Sequence, residues 1–190
     1  MFLPPNRTRR AFARAALSAL AAVGLFCTTT AQGAGPTVAT EQGFKAAFVF
    51  NLIQFATWPP AAFADASSPI VVGIIGTDPF GGLLDEAVRN QLVDERAIVI
   101  RRFARIADLK PCHMLVISQS EAARAKEIIQ AVAGGNTLTV SDIPKFCQLG
   151  GMVGVEAGAK RVAFEVHATL LKSVGLHISS KFLKFANKLY

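Results

Sequence analysis

Apolar residues along this chain alternate between helical spacing and short continuous runs, which predicts an α/β protein. Helical spacing begins at residues 42–56, where the predicted core face consists of Phe44, Ala47, Phe48, Leu52 and Phe55, with Asn51 as its one polar member. Val49, Phe50 and Ile53 widen this face, so we expect a helix that is buried on most sides. The Trp58-Pro59-Pro60 segment ends this helix, because the residue before a proline is pushed out of the helical region.

Continuous apolar runs predict the strands. Residues 70–75 form a nearly uninterrupted run, typical of a strand that is covered on both faces. Residues 97–100, 114–117 and 137–140 predict three more strands. Helices are predicted between them at residues 83–89 and 121–133, and Gly134-Gly135 stops the second.

The last third of the chain changes character. Residues 152–155 and 161–166 flank a polar segment with a central glycine, which predicts a β-hairpin. Residues 179–189 place apolar side chains on one face and lysines on the other, which predicts an amphipathic helix that docks on the sheet. The fold class is therefore α/β: a compact three-layer sandwich with a mixed, mostly parallel sheet flanked by helices, a C-terminal β-hairpin and an amphipathic helix.

The N-terminus has the features of an export signal. Four arginines and no acidic residue precede a short apolar run, and small residues follow it. We assign residues 1–34 to a signal peptide that is cleaved after Ala31, Gly33 or Ala34, residues 35–41 to a flexible lead-in, and residues 42–190 to one domain. The signal fits both the general secretory route and, through Arg9-Arg10, the twin-arginine route.

Removing this segment changes the charge. Of the 20 basic and 13 acidic residues, four arginines belong to residues 1–34, so 16 basic and 13 acidic residues remain and the charge falls from +7 to +3. Such a surface gives no argument for nucleic-acid binding.

The exported part keeps two of the three cysteines, Cys112 and Cys147. In an oxidising compartment such a pair suggests one disulfide. Two unpaired thiols are the alternative, because sequence does not place the two Cα atoms within bridging range.

Candidate catalytic residues are few. Histidines occur only at positions 113, 167 and 177, without the spacing of metal ligands, and no nucleophile motif or pair of carboxylates stands out. We therefore predict neither an enzyme nor a metal site nor a cofactor. Asp78 follows a predicted parallel strand, where open α/β sheets bind small molecules, so Asp78 and Phe80 are candidate ligand residues. A helix cap is the alternative for Asp78.

Two loops carry apolar residues suited to contact with a partner protein. Trp58 with Pro59 forms a rigid aromatic corner, and Pro144 and Phe146 lie in the loop that precedes Gly150-Gly151. Exposed loop tips of this kind are common partner contacts, whereas buried ones pack beneath the core, and both interpretations are open for Trp58, Pro144 and Phe146.

Several blocks in register resemble the YfiR family of periplasmic regulators over about residues 44–188. The blocks are KAAFVFNL (45–52) with Phe55 and Trp58-Pro59, GIIGTDPFG (73–81), CHMLVIS (112–118), LTVSDIP (138–144) with Phe146 and GGM (150–152), and GL (175–176) with ISSKFLK (178–184).

The resemblance implies a periplasmic protein without known catalysis. Members of this family repress an inner-membrane diguanylate cyclase by binding its periplasmic sensor portion, and a peptidoglycan-binding outer-membrane lipoprotein sequesters the repressor. The cyclic-di-GMP level and biofilm formation then depend on the activity of the cyclase. A homodimer is also implied by the family. The alternative function is a periplasmic domain that senses a small molecule.

The cysteines depart from the family pattern. The resemblance implies two disulfides, but the positions of the usual partners here hold residues such as Gly154 and Val72. Cys112 and Cys147 therefore either pair with one another or stay reduced.

Overall fold

The computed structural model of this protein describes residues 40–158 and 161–190. The predicted signal peptide at 1–34 and the lead-in up to residue 39 lie outside the described residues. Thr40 is the N-cap of the first helix, and its side chain accepts a hydrogen bond from the backbone of Gly43.

Five short or medium α-helices and ten strands make up the described part of the chain. In chain order they are α1 (Glu41–Phe55), β1 (Ala56–Thr57), β2 (Ile70–Ile75), α2 (Leu83–Val88), β3 (Leu92–Val93), β4 (Arg96–Phe103), β5 (Met114–Ile117), α3 (Ala125–Ala131), β6 (Leu138–Ser141), β7 (Val153–Gly158), β8 (Arg161–Val166), α4 (Ala168–Ser173), β9 (His177–Ile178), α5 (Ser180–Leu183) and β10 (Lys188–Leu189). Short 3₁₀ segments cover Pro60–Ala62, Ile106–Asp108, Gln119–Arg124 and Phe146–Leu149. In the part of the chain that the structure describes, we find no helix with the length and hydropathy of a membrane span.

One large sheet organises the fold. Its strand order is β10-β8-β7-β6-β5-β2-β4-β3, and the five central strands β7, β6, β5, β2 and β4 are parallel. β8, β10 and β3 run in the opposite direction at the two edges. β1 and β9 form a separate two-stranded sheet. The mixed, mostly parallel sheet, the C-terminal hairpin and the C-terminal helix are confirmed.

The core consists of two apolar layers, one on each face of the sheet. Alternate strand residues point to opposite faces, so Val72 and Ile74 belong to the layer beneath α1, whereas Val71 and Ile75 belong to the layer beneath α3. Helices therefore cover both faces, which accounts for the continuous apolar run of β2.

The buried face of α1 differs from the predicted one. Ala46, Val49 and Ile53 are buried together with Phe48 and Leu52, whereas Phe44, Ala47 and Asn51 are exposed. The helix is apolar on most sides, so its sequence pattern did not single out one face. Packing against the sheet selected it.

Two predicted helices are shorter than expected. Residues 119–124 form a 3₁₀ segment before α3 instead of its first α-helical turns, and Ser118 caps this segment by accepting a hydrogen bond from Ser120 N. The C-terminal helix ends at Leu183, and the chain then pairs with β8 through Asn187 N to Phe164 O and Tyr190 N to Val166 O. These long-range bonds divert residues 187–190 from the predicted helix into β10.

His113 joins several elements at the amino ends of the central strands. Its Nδ1 accepts a hydrogen bond from Val71 N at 3.0 Å, and its Nε2 lies 3.1 Å from Ala62 O. Its carbonyl oxygen accepts from both Trp58 Nε1 and Leu138 N, each at 2.8 Å. The Phe63 ring stacks on the imidazole. Because Nδ1 must accept, the ring is neutral and carries its proton on Nε2.

The two cysteines do not form the disulfide that was one of the two expectations. Both are free and buried. Cys112 lies just before the amino end of β5, whereas Cys147 packs against Gly154, which is paired with Ser141 at the carboxyl end of β6. A four-residue strand is roughly 13 Å long, so the two residues lie well beyond the separation of about 7 Å that a disulfide can bridge.

The stability of the protein should fall as the pH drops below about 6.5. Burial lowers the pKa of His113 below its ordinary 6.5. The unfolded chain therefore takes up this proton at a higher pH than the folded chain, and the loss of stability levels off below the folded pKa. Chemical denaturation of the wild type and of His113→Asn, which has no titrating ring, measures this effect. We expect the variant to be about 1–3 kcal/mol less stable at neutral pH and its stability to depend less on pH. Equal slopes would contradict the assignment.

Neither thiol should react in the folded protein. Burial raises the pKa of Cys112 and of Cys147 to about 11 each, so little thiolate forms at pH 8. We expect no reaction of the exported protein with an aromatic disulfide reagent until urea is added, and then two thiols per chain. A mass lower by two hydrogens in the untreated protein would show a disulfide instead.

Candidate functional site

The loops that follow the parallel strands form one rim of the molecule. Because β2, β5 and β6 are parallel neighbours, their carboxyl ends meet at the same edge of the sheet. The loops are residues 76–82, 118–121 and 142–146. In chain order the five parallel strands have the spatial order 2-1-3-4-5, and the order reverses between β2 and β5. Small molecules bind in the crevice at such a reversal in open α/β sheets, so this rim is the first candidate site.

The crevice between β2 and β5 is filled by the protein itself. Ser120 Oγ accepts a hydrogen bond from Thr77 N at 2.9 Å. Gly76 has a φ of +90°, and a Cβ there would lie 2.5 Å from Ser120 Oγ, so this position requires glycine. Glu121 is buried beside Gly76, and its carboxylate pairs with Arg124 at 2.6 Å. The polar groups of the crevice are thus paired within the chain.

Asp78 and Phe80, the candidate ligand residues, are both engaged in the fold. One carboxylate oxygen of Asp78 accepts from Phe80 N at 2.7 Å, and the other accepts from Arg102 Nε at 2.7 Å. Arg102 also bonds Asp85 and lowers the pKa of that carboxyl. Asp78 does not cap α2, whose N-cap is Gly82 without a side-chain bond. The Phe80 ring is buried in the core.

A small apolar notch opens on the α1 side of the same rim. Its apolar lining consists of Phe48, Val49, Phe80, Val116, Val140 and Val155, and Lys45 and Asp142 complete it. Its volume is about 30 Å³, room for one or two waters. Ligand pockets for organic molecules measure about 300–1,000 Å³, so this notch accommodates the tip of a side chain rather than a metabolite.

An ion pair forms the polar part of the notch. Lys45 Nζ lies 2.7 Å from Asp142 and 2.7 Å from Glu41, and the side chains of Lys45 and Asp142 are only 16% and 14% exposed. Burial alone would lower the pKa of Lys45, but its hydrogen bonds to Asp142 and Glu41 outweigh this and raise it. The lysine stays charged and fully paired.

The three candidate partner residues do not form one surface. Trp58 is buried at the amino ends of the strands, where it donates to His113. Phe146 is buried in the opposite core layer at the carboxyl ends, and its ring covers Gly151, where a Cβ would lie 2.1 Å from it. Pro144 is exposed. The structure thus separates Trp58 from the other two and leaves Pro144 as the exposed member.

The notch contains three residues that the sequence pattern did not single out as site residues: Lys45, Asp142 and Val155. Lys45 could have been noticed as a lone cation inside an apolar helical segment, which signals a buried ion pair. Nothing in the local sequence indicates its partner, because Asp142 lies in a distant loop.

Two of the three histidines, His113 and His167, have structural side-chain partners. His113 forms the junction described above, and His167 Nδ1 accepts a weak bond from Leu170 N at the start of α4. Within residues 40–158 and 161–190, no group of three or more histidine, cysteine or acidic residues is arranged to hold a metal ion.

Comparison with known proteins places the chain in a family. No curated protein matches the chain. Among solved structures, a conserved domain protein from Vibrio cholerae O1 biovar El Tor matches with 10% identity and a TM-score of 0.49, over 64% of this chain and 55% of that one. The chain thus spans about half the length of that structure. The model of the YfiR/HmsC-like family matches residues 42–187, nearly the whole described domain. The protein whose crevice is filled and whose rim carries the Lys45–Asp142 notch therefore belongs to the YfiR/HmsC-like family.

Proposed function

We propose that this protein represses an inner-membrane diguanylate cyclase by binding the periplasmic sensor region of that enzyme, and so lowers cyclic-di-GMP and biofilm formation. The observation that carries the proposal is the family match over residues 42–187. The YfiR/HmsC-like family consists of periplasmic regulators of cyclic-di-GMP signalling. The export signal expected at residues 1–34 would deliver the chain to the compartment in which such a sensor region lies.

The geometry of the rim favours binding of a protein over binding of a small molecule. Thr77 and Ser120 close the crevice between β2 and β5, and both carboxylate oxygens of Asp78 are already bonded. The notch beside Lys45 has a volume of only about 30 Å³. A regulator that responds to a partner needs an accessible surface, and the rim supplies one without an empty pocket.

The loop at residues 142–146 is the part of the rim that we assign to the partner. Pro144 and Lys145 are exposed, and the buried Phe146 ring beneath them anchors the loop against Gly151. Lys145 has a φ of +61°, so the backbone turns sharply at the tip. A rigid loop loses little conformational entropy on binding.

Binding of a second partner at the 142–146 loop would explain how the cyclase is released. In this proposal a peptidoglycan-binding outer-membrane lipoprotein sequesters the repressor and frees the cyclase, and two copies of the chain associate as a homodimer. Both partners are proteins, consistent with a net charge near +3 after export that provides no broad cationic surface for nucleic acid.

Deleting the gene should raise cyclic-di-GMP, because the cyclase then lacks its repressor. The nucleotide is quantified in extracts of the native strain, the deletion strain and the deletion strain that carries a plasmid copy, which should restore the low level. A strain that also lacks the cyclase serves as the control, since deletion should have no effect there. Unchanged cyclic-di-GMP in a strain with an active cyclase would refute the proposal.

Pro144→Asp should weaken binding to the purified periplasmic region of the cyclase by roughly tenfold, equivalent to about 1.4 kcal/mol. The reason is that it places an unpaired charge in the contact. Pro111→Asp is the matched control, because Pro111 is also exposed but precedes β5 at the opposite end of the sheet. Calorimetric titration measures both affinities. Equal affinities of the two variants would exclude the loop as the contact.

A further inference from the structure

The sheet has an unpaired edge beside the notch. β6 pairs with β7 only through Val140 with Val153 and Ser141 with Gly154. β6 then ends, and its chain turns away toward the 142–146 loop, whereas β7 continues to Gly158 with β8 on its other side. We call the β6-facing side of residues 155–158 the open edge.

The main-chain groups at the open edge point away from β8. Phe164 O and Val166 O accept bonds from Asn187 N and Tyr190 N, so both of these β8 residues direct their main-chain groups away from β7. Val155 is opposite Phe164, and in an antiparallel pair such residues are not bonded to each other. The main-chain groups of Val155 and Ala157 therefore face the β6 side of β7, beyond the point where β6 ends.

Ser141 is the last residue of β6 that can satisfy this edge. It is paired with Gly154, so its carbonyl oxygen can still reach the N–H of Val155. The carbonyl of Val155 and both main-chain groups of Ala157 lie beyond the end of β6. The β6–β7 ladder ends at Ser141 and Gly154 and therefore does not reach them. The open edge thus presents three main-chain groups in strand geometry: the carbonyl of Val155, and the N–H and carbonyl of Ala157.

The notch begins where the open edge begins. The Val155 side chain is buried and lines the notch together with Phe48 and Val140. A strand laid along the open edge would place alternate side chains on the α1 face of the sheet, where the notch lies. Lys45 is already paired with two carboxylates, so it does not attract a charged side chain of a partner. Because the notch is small and its lining mostly apolar, a small apolar side chain would fit it.

We propose that the open edge of β7 receives an extended segment of the partner as an added parallel or antiparallel strand, and that one small apolar side chain of this segment enters the notch. In such strand addition the main-chain bonds supply affinity and the side-chain pocket supplies specificity. The identity of the partner, the periplasmic region of the cyclase, rests on the proposed function.

A second copy of this chain fits the edge less well. Two β7 edges joined about a two-fold axis would place the exposed Glu156 of each copy at neighbouring positions on one face of the sheet. Like charges that face each other across paired strands are destabilising. A different protein has no such restriction.

The amide of Ala157 tests the proposal directly. We expect rapid hydrogen exchange at this amide in the free exported protein and at least tenfold slower exchange in the complex with the purified periplasmic region of the cyclase. Ala157→Pro removes this N–H but leaves the ladder with β8 intact, because Ala157 directs its main chain to the other side. The substitution should weaken binding roughly tenfold or more. Ala157→Val keeps the N–H and is the matched control, with an affinity close to that of the wild type.

The outcomes separate this inference from the proposed function. If the wild type binds but the exchange of Ala157 does not change and Ala157→Pro binds equally well, strand addition is wrong and the repressor function stands. If the wild type does not bind the cyclase region, both the strand addition and the proposed repressor function are wrong. If the chain dimerises and Ala157→Pro abolishes the dimer, the edge belongs to a second copy and the assignment to the cyclase is overturned. Thermal unfolding of both variants confirms that each is folded, and the exchange measurement on the wild type does not depend on either variant.

Discussion

The neutral imidazole of His113 is the contact on which the amino-terminal end of this sheet depends. One residue joins β2 through Val71, β6 through Leu138 and the loop after α1 through Trp58 and Ala62. The bond from Val71 N requires an unprotonated Nδ1, so the order of these elements is tied to the charge state of one ring.

The two ends of the sheet differ in how completely their polar groups are paired. At the amino ends the side-chain nitrogens of His113 and Trp58 all have partners within the chain, and the aromatic rings are packed. At the carboxyl ends the strands stop at different lengths, and β7 extends beyond β6. The packed amino end thus contrasts with a carboxyl end at which the ladder between β6 and β7 stops before β7 does. A strand whose geometry is fixed before binding suits the strand addition proposed above, because little conformational entropy is then lost on binding.

Some elements could be predicted well from the sequence because their signals are local. The apolar runs at 70–75 and 114–117 correspond to β2 and β5, and the helix predicted at 42–56 corresponds to α1 within a residue. The side of α1 that is buried could not be predicted, because nearly every side of it is apolar. At the C-terminus, the spacing of lysines and apolar residues indicated one long helix, but bonds from Asn187 and Tyr190 to β8 ended it early. Asp78 likewise bonds Arg102, a distant residue that the turn itself does not reveal.

The sequence by itself determined the alternation of helices and strands, the family resemblance and the residues that line the loops after the parallel strands. These follow from spacings of a few residues, which local chain geometry converts directly into helix faces and strand faces. The tertiary structure alone decided that Cys112 and Cys147 lie at opposite ends of the strands, that Lys45 meets Asp142, and that β7 extends past Ser141. Each of these depends on strand order and register, which are set by packing between segments far apart in the chain.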